Sequence, residues 1–214
     1  MALKVYGISK STCTTRVLTC LGEKGVEFEL VPVNMSVGEH KQPAFISKNP
    51  FGQIPALEDG ELTLFESRAI TRYIATKHKD QGTDLLKLDD LKESAAVNAW
   101  LEAEAHHYNP AISPIVYQRM VIPVFYNGTP DEKIIEAHVE KLNKVLDVYE
   151  EKLSKTKYLA GDFFSLADLH HLPYTFYLMQ TPEAKLIESR PHVKAWWEDI
   201  SSRPAFKKVA EGMK

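Results

Sequence analysis

The chain has 214 residues with a formal net charge of -3, and 26% of its residues are charged, as in an ordinary soluble globular protein of one or two domains. A small negative charge provides no basic field for phosphate backbones, so nucleic acid is not expected as a partner. The sequence shows neither the pattern of a secretion signal nor about 18 uninterrupted apolar residues, so we expect a cytoplasmic protein without a membrane partner.

Cys13 and Cys20 are the only cysteines, and they fall in one predicted helical region. Two cysteines at this spacing form neither a disulfide framework nor a zinc motif, so both are predicted to be reduced thiols. Adjacent histidines on a helix point in different directions and cannot chelate as an i, i+4 pair can, so no metal site is predicted. The adjacent pairs are His106 with His107 and His170 with His171.

Short apolar runs alternate with helical patterns at the start of the chain. The runs predict four strands, with a hairpin turn at Asp59-Gly60. The strands are Leu3 to Tyr6, Phe28 to Val33, Pro55 to Glu58 and Leu62 to Phe65. A first helix, which Gly25 would end, lies between the first two strands, and a second helix carries Ile70 and Ile74 on its apolar face. The predicted order is β-α-β followed by β-β-α.

The second half of the chain has only helical patterns. Residues 80–90 are polar and are interpreted as a linker, and no strand signal follows them. Apolar residues at helical spacing then form one stripe, but Pro110 and Pro114 are expected to bend or break that helix. The stripe consists of Val97, Leu101, Ala105, Tyr108, Ile112 and Ile115.

Two later segments have the pattern of helix starts. Thr129-Pro130-Asp131-Glu132 offers a capping residue, a first-turn proline and a reciprocal carboxylate. The apolar spacing that follows, up to Leu153, favours a bundle helix, with a coiled coil as the alternative. Ser165-Leu166-Ala167-Asp168 is typical of a capping box that opens a helix through Tyr177. A last helix is predicted over Val193 to Ile200.

The most informative stretch runs from Asn49 to Leu57, with Leu64 to Ile70 close behind it. A proline that enters an apolar run, here Pro55, predicts an unpaired backbone at a strand edge with which an extended ligand can pair. Glu66-Ser67-Arg68 stands at a predicted helix start, so a carboxylate, a hydroxyl and free backbone N–H groups lie together there. Such a corner can hold both the amine and the carboxylate of a small peptide.

Five motifs together resemble the phi class of plant glutathione transferases, and the resemblance runs from end to end. They are Ser11 to Val17, Gly38 to Lys41, Asn49 to Pro55, Phe65 to Ile70 and Ser165 to Pro173. The resemblance implies the cytosolic glutathione transferase fold, which is α/β plus all-α. A thioredoxin-like glutathione-binding domain would span 1–79, a linker 80–90, and an all-helical bundle domain that contributes the electrophile site 91–214.

The same resemblance implies conjugation of reduced glutathione to hydrophobic electrophiles, with a possible side activity as a glutathione peroxidase. Glutathione would be a co-substrate, no cofactor is expected, and the protein would be a homodimer. The alternative is a ligand carrier of the ligandin type, which binds flavonoids or other aromatics without chemistry.

Ser11 is the residue that the resemblance implies as catalytic, because it stands where the family has a hydroxyl that donates to the glutathione sulfur. Free thiols titrate near 8.5, so an enzyme must stabilise the charge on sulfur to have a thiolate at neutral pH. A plain N-cap serine is the structural alternative. Cys13 is the rival nucleophile, since a thiol near a helix start can have a lowered pKa and would make the protein a thiol reductase.

The resemblance assigns each part of glutathione to particular residues. His40 and Lys41 would hold the glycine carboxylate, and Gln53 would meet the γ-glutamyl end. The backbone of Ile54, beside a cis peptide at Pro55, would pair with the cysteinyl residue. Without the resemblance, His40 and Lys41 are read as a solvated loop and Pro55 as a turn proline.

At the other end of the tripeptide, Glu66 would accept from the α-ammonium, and Ser67 with the helix N-terminus would bind the α-carboxylate. Thr12 and Arg68 complete the implied glutathione-binding set, with an intersubunit or structural salt bridge as the alternative role of Arg68. Taken alone, Glu66 and Ser67 are ordinary helix-start residues.

The electrophile pocket is expected between the domains, although each apolar candidate can equally be plain core. The candidates are Met35, Ile112, Ile115, Val116 and Arg119. Phe51 resembles the residue that inserts into the partner subunit's helical domain in this family, with packing on its own domain as the alternative.

Overall fold

The structure is a computed structural model that describes residues 3–214, except for the side chain of Phe125. The chain divides into two compact units. The first unit runs to Leu86 and includes Pro204–Lys214, and the second unit is Lys87–Arg203. No helix within residues 3–214 is both long enough and apolar enough to cross a membrane.

A four-stranded sheet forms the centre of the first unit, with β2 and β4 at its edges. Its strands are β1 (Leu3–Gly7), β2 (Phe28–Pro32), β3 (Ala56–Asp59) and β4 (Leu62–Phe65). The order is β2-β1-β3-β4, in which β1 and β2 are parallel and the other two pairs are antiparallel. The predicted strands are therefore confirmed, with ends that differ by no more than one residue.

The position of β3 within the sheet was not predicted. Pro55 predicts an unpaired backbone at a strand edge, whereas β3 itself, which begins after Pro55, pairs with both β1 and β4 and lies inside the sheet. Only the residues before β3 leave the ladder. Strand order depends on which distant strands pair, and Pro55 stands just ahead of the first paired residue, where its missing N–H does no harm.

Three α-helices complete the β-strand region of the first unit. They are α1 (Thr12–Lys24), α2 (Pro43–Ile46) and α3 (Ser67–Lys77). Gly25 ends α1 with φ 63, as predicted, because glycine adopts the left-handed conformation without strain. α1 packs against α3, and Val17, Cys20, Ile70 and Ile74 are all fully buried. The helix α2 was not predicted, since one turn is too short to show a period.

The described residues of the second unit form helices joined by loops and no strand. Its α-helices are α4 (Leu91–Ala103), α5 (Asn109–Val116), α6 (Ile122–Tyr126), α7 (Glu132–Leu153), α8 (Leu166–Leu169), α9 (Leu172–Leu178), α10 (Lys185–Glu188) and α11 (Pro191–Ser201). The long helix α7 packs against α5 and α11 of the same unit, so the bundle interpretation of its apolar stripe is confirmed.

The prolines of the predicted kinked helix do not break it. Instead, π-helical turns occupy Glu104–Tyr108 and Tyr117–Val121, on either side of α5. Pro110 lies in the first turn of α5 and Pro114 lies inside that helix. Each proline removes one helical donor, and the wider turns shift the hydrogen-bond register around them, so the chain stays helical.

The two predicted helix starts differ in outcome. The capping box of Ser165 and Asp168 is confirmed, but the helix that it opens stops after one turn and resumes as α9 near Pro173, which has no N–H to continue the ladder. The predicted cap at Thr129 is wrong. Asp131 caps α7, because its carboxylate accepts directly from the backbone N–H groups of Lys133 and Ile134 at 2.9 and 3.3 Å.

The boundaries of the compact units differ from the predicted 1–79, 80–90 and 91–214. A last helix, α12 (Pro204–Ala210), packs on α1 and so belongs with the first unit. The beginning of the predicted linker is bonded to α1 through Thr83. The Thr83 carbonyl accepts from Lys24 Nζ at 2.8 Å, and the Thr83 hydroxyl donates to Glu23 Oε2 at 2.8 Å. The residues that make these contacts are far apart in sequence, so no local sequence pattern predicts the contacts.

Candidate functional site

The candidate residues of the first unit gather at one end of the sheet because of its register. Gly7 lies beside Pro32, Tyr6 beside Ala56, and Ala56 beside Phe65. The chain therefore leaves β1, β2 and β4, and enters β3, at the same end. The start of α1, the turns after β2, the residues before β3 and the start of α3 all begin from this edge.

Ser11 is the N-cap of α1. Its Oγ accepts from the backbone N–H of Thr14 at 3.3 Å, and its carbonyl accepts from Thr15 Oγ1 at 2.9 Å. Among the described residues none accepts a hydrogen bond from the Ser11 hydroxyl, whose hydrogen is thus available to a ligand. The bond that Oγ accepts also polarises the hydroxyl and makes it a better donor.

The start of α1 favours a bound anion. No acidic residue occupies its first turn, so the partial positive charge of the helix N-terminus is not neutralised there. Gly7 allows the helix to begin so close to the sheet, since a Cβ at this position would come within 2.4 Å of Thr14 Oγ1. A negative atom placed beyond Ser11 would meet both the helix dipole and a hydroxyl donor.

The two cysteines lie in different surroundings, and neither is in a disulfide, as predicted. Cys20 is fully buried, and burial raises the pKa of its thiol well above the ordinary value, so it is unreactive. Cys13 is half-buried in the first turn of α1, with Sγ 3.6 Å from Arg16 Nη1. The redox role of Cys13 stays a prediction.

The segment before β3 offers a free backbone. The Ile54–Pro55 bond is cis, as the resemblance implied. In the described part of the chain, no hydrogen bond engages the N–H or the C=O of Ile54. An extended peptide can therefore pair with Ile54 even though β3 itself is inside the sheet.

Asn49 organises this segment, and its role was missed from the sequence. It is 2% exposed, its Nδ2 donates to the carbonyl of Gln53 at 2.6 Å, and its Oδ1 accepts from the N–H of Phe51 at 3.0 Å. The signal available beforehand was an asparagine before a proline in a turn, which favours side-chain to backbone bonding. The side chain of Gln53 is left exposed and, within the described residues, without a partner.

Gly52 gives the first testable prediction. Its φ is 57, and a Cβ there would lie 2.8 Å from the carbonyl oxygen of His40 and 2.9 Å from Ile46 Cδ1. We expect Gly52→Ala to lower the free energy of unfolding by about 2 to 4 kcal/mol, because the backbone strain of an alanine at positive φ is added to the steric clash of its Cβ. Urea denaturation monitored by tryptophan fluorescence measures it.

Gly60→Ala is the matched control for Gly52→Ala. Gly60 has a similar φ of 62, but a Cβ there would meet nothing within 4 Å. We expect Gly60→Ala to lower the free energy of unfolding by about 1 kcal/mol, because only the backbone strain at positive φ remains and there is no clash. Equal losses in the two variants would mean that the crowding around Gly52 does not matter.

Glu66 and Ser67 begin α3. Glu66 has φ 67, a conformation that side chains rarely adopt, and its exposed carboxylate has no partner among the described residues. Ser67 is buried, and its Oγ accepts from Arg16 Nη1 at 2.7 Å. The first turn of α3 also lacks acidic residues. An unpaired carboxylate and a helix N-terminus thus stand side by side, as the two ends of a zwitterion require.

His40 and Lys41 lie in a 3-10 turn, Glu39–Lys41. Lys41 Nζ donates to the carbonyls of Phe51 and Gly52 at 3.1 and 2.8 Å, so the turn is tied to the Asn49 segment. Nδ1 of His40 is buried without a partner among the described residues. Thr12 and Arg68 are half-buried in the first turns of α1 and α3.

The candidate electrophile residues are mostly core residues. Met35 packs on the buried cluster of Val33, Phe45 and Ala56 in the first unit. In the second unit the three apolar candidates on α5 are buried, which favours the alternative that they are core. They are Ile112, Ile115 and Val116. Their assignment to a pocket stays a prediction.

Arg119 forms ion pairs within the second unit. Its guanidinium contacts Glu132 Oε1 at 2.6 Å and Glu183 Oε1 at 2.7 Å, and these hydrogen bonds raise its pKa further above the ordinary value. Because most of its N–H groups donate to these two carboxylates, Arg119 stabilises the second unit by linking Glu132 to Glu183.

The two adjacent histidine pairs lie in different surroundings. His106 is exposed beside Glu102, whereas His171 is buried, with Nε2 3.0 Å from the Tyr149 hydroxyl and Nδ1 2.7 Å from the carbonyl of Ala167. Across residues 3–214 no group of three or more His, Cys, Asp or Glu could hold a metal ion.

Comparison with known proteins adds two family matches. The family model described as glutathione S-transferase, N-terminal domain, matches residues 1–76. The model described as glutathione S-transferase, C-terminal domain, matches residues 107–204. Together they cover most of the chain.

Individual relatives match over the whole length. The chain is 60% identical over 213 residues to glutathione S-transferase F13 of Arabidopsis thaliana, covering 100% of this chain and 97% of that protein. The crystal structure of glutathione transferase F7 from Populus trichocarpa is 68% identical, with a TM-score of 0.98 and full coverage of both chains. Glutathione S-transferase I from maize, solved with an atrazine glutathione conjugate, is 48% identical, with a TM-score of 0.93 and coverage of 100% and 98%.

Proposed function

The chain belongs to the plant F (phi) class of glutathione S-transferases, enzymes that conjugate glutathione to electrophiles, and on that basis we propose that Ser11 holds the glutathione sulfur as a thiolate. The observation that supports this role is the Ser11 hydroxyl, which caps α1 through its oxygen while its hydrogen remains unused.

The proposed chemistry needs a stabilised anion rather than a base. A shift of about two pKa units in the thiol corresponds to roughly 2.7 kcal/mol, which one hydroxyl donor and a helix N-terminus together can provide. Ser11 keeps its proton and donates it in a hydrogen bond to sulfur. The thiol proton is released to solvent water. The thiolate then attacks the electrophilic carbon, a C–S bond forms, and the leaving group departs with its electron pair.

The rest of the tripeptide is proposed to lie along the edge of the sheet. The free backbone groups of Ile54 pair with the cysteinyl residue, and Gln53 meets the γ-glutamyl end. The unpaired carboxylate of Glu66 accepts from the α-ammonium, and Ser67 donates to the α-carboxylate at the start of α3. His40 and Lys41 hold the glycine carboxylate, with Thr12 and Arg68 at the margins.

The experiment that tests the Ser11 proposal is a pH titration of glutathione bound to the enzyme, followed by the ultraviolet absorbance of its thiolate. We expect the bound thiol to titrate about two units below the free thiol, and to return toward the free value when Ser11 is replaced by alanine. A bound thiol with the same pKa in both enzymes would remove Ser11 from this role.

A peroxidase side activity is proposed from the same thiolate. The sulfur attacks the terminal oxygen of an organic hydroperoxide, the O–O bond breaks, and an alcohol leaves after protonation. A second glutathione then displaces the sulfenic oxygen as water and forms glutathione disulfide. Detoxification of hydrophobic electrophiles, the pocket that binds them, and a cytoplasmic location likewise remain proposals.

A homodimer is proposed from Phe51, which is 65% exposed and lies in the loop that Asn49 organises, with its ring 6.0 Å from that of Phe65. We expect Phe51→Ala to weaken the dimer about 10-fold to 100-fold, because an exposed aromatic anchor is lost from the contact. Sedimentation velocity across a dilution series measures it.

Val37→Ala is the matched control for Phe51→Ala. Val37 is 69% exposed in the same unit but is not an aromatic anchor. It should leave the association unchanged. A Phe51 variant that sediments as the wild type at every concentration would favour packing of this ring on its own domain.

A further inference from the structure

Arg16 is a buried cation that joins the starts of two helices in the first unit. It lies on α1 and is 0% exposed. Its Nη1 donates to Ser67 Oγ at 2.7 Å, across 51 residues of sequence, and approaches Cys13 Sγ at 3.6 Å. The guanidinium therefore sits between the first turn of α1 and the first residue of α3.

The contact with Arg16 determines what the Ser67 hydroxyl can do. A hydroxyl has one hydrogen to donate, and its oxygen can accept. Because the oxygen already accepts from a guanidinium, the hydrogen must point away from Arg16, and it has no acceptor among the described residues. A positively charged donor also polarises the O–H bond. The Ser67 hydroxyl is thus oriented to donate a hydrogen bond, as the binding of an anionic ligand group requires.

We propose that Arg16 is a positioning residue that orients and polarises the Ser67 hydroxyl so that it donates to the γ-glutamyl α-carboxylate of glutathione. This inference rests on the proposed role of Ser67 in binding that carboxylate. Arg16 itself is buried and reaches the ligand only through Ser67.

The planar fork of arginine explains why this residue type stands here. Separate N–H groups can point at different acceptors without rotation of the head group, whereas a lysine ammonium is a point charge on a flexible stem. A lysine would keep the positive charge but would hold the hydroxyl less firmly.

The test compares two ligands in calorimetric titrations. One is glutathione, and the other is 4-aminobutyryl-cysteinyl-glycine, which lacks only the γ-glutamyl α-carboxylate. We expect Arg16→Met to weaken glutathione binding about 10-fold and to change binding of the analogue by less than about twofold. Arg16→Lys should lose about threefold for glutathione. The KM for glutathione should rise in parallel while kcat at saturation stays within about twofold.

A second variant keeps the proposal testable if Arg16→Met does not fold. Ser67→Ala should abolish the same preference for glutathione over the analogue, and adding Arg16→Lys to Ser67→Ala should cause no further loss. Lys24→Met is the matched control, since Lys24 is a buried basic residue at the other end of α1 that donates to Thr83. It should lower stability and leave the ligand preference unchanged.

The outcomes separate the inference from the function on which it rests. If the wild type binds both ligands equally, Ser67 does not bind the α-carboxylate, and the role of Arg16 is overturned with it. If the wild type prefers glutathione and the Arg16 variants keep the full preference, or lose affinity equally for both ligands, only the Arg16 inference is overturned.

Discussion

Ser11→Ala is expected to lower turnover with an activated aryl halide about 100-fold near pH 6.5, while the affinity for glutathione changes by less than about threefold. The thiolate loses its hydroxyl donor, so a smaller fraction of bound glutathione is ionised and the remaining thiolate is less well stabilised. The tripeptide keeps its other contacts, which do not involve Ser11. Steady-state kinetics across pH 5.5 to about 9 measure both effects.

Two further variants separate donation from helix capping. Ser11→Gly restores most of the N-cap stability that alanine loses, about 1 kcal/mol, but supplies no donor. It should be as inactive as Ser11→Ala and nearly as stable as the wild type. Ser47→Ala removes an exposed hydroxyl at the end of α2 and should leave the kinetics unchanged. Recovery of turnover in the glycine variant would show that Ser11 acts only as a cap.

Asp168→Asn is expected to lower the free energy of unfolding by roughly 3 to 5 kcal/mol near pH 7. Asp168 is fully buried in the second unit and accepts from the N–H groups of Leu159 and Ser165 at 3.0 Å each, from Ser165 Oγ at 3.1 Å and from Trp196 Nε1 at 3.0 Å. An asparagine would place its own N–H₂ against these donors. Urea denaturation followed by tryptophan fluorescence measures the loss.

The pH dependence of this loss has a definite sign. Burial raises the pKa of Asp168 to about 6, although its hydrogen bonds lower it, from an ordinary value of 3.8. Between pH 4 and 6 the folded state keeps a proton that the unfolded state has released, so the contribution of this group to stability falls as pH rises. Asparagine does not titrate. The difference between wild type and variant is therefore expected to be larger at about pH 4.5 than at pH 7.

Asp162→Asn is the matched control for Asp168→Asn. Asp162 is exposed and accepts one backbone N–H, from Lys157 at 2.9 Å. Asp162→Asn should lower the free energy of unfolding by no more than about 1 kcal/mol near pH 7. A difference between Asp168→Asn and wild type that stays constant from pH 4.5 to 7 would contradict the raised pKa.

Local chemistry made much of the fold predictable. The strands, the end of α1 at Gly25 and the capping box of Ser165 depend on residues close together in sequence, and all were confirmed. The predicted cap at Thr129 was wrong because a second local signal competed, and Asp131 took the capping role. Of the two outcomes expected at Pro110 and Pro114, a break does not occur, because π turns keep the chain helical there.

The candidate site divides in the same way. Ser11, Ile54 and Glu66 were identified from motifs, and the structure leaves each with the unused hydroxyl, backbone group or carboxylate that its proposed role needs. Arg16 and Asn49 were not identified. Their effect depends on which groups they contact after folding, and Arg16 reaches a residue that is remote in sequence.

The sequence by itself determined the family, the order of the four strands and of the longer helices, and the residue types at several of their ends, because periodicity and capping act within a few residues. Only the tertiary structure decided that β3 lies inside the sheet, that residues 204–214 pack on α1, and that a buried guanidinium sets the direction of the Ser67 hydroxyl. Strand pairing and side-chain burial bring together groups that are distant along the chain, and no local sequence pattern predicts which groups will be in contact.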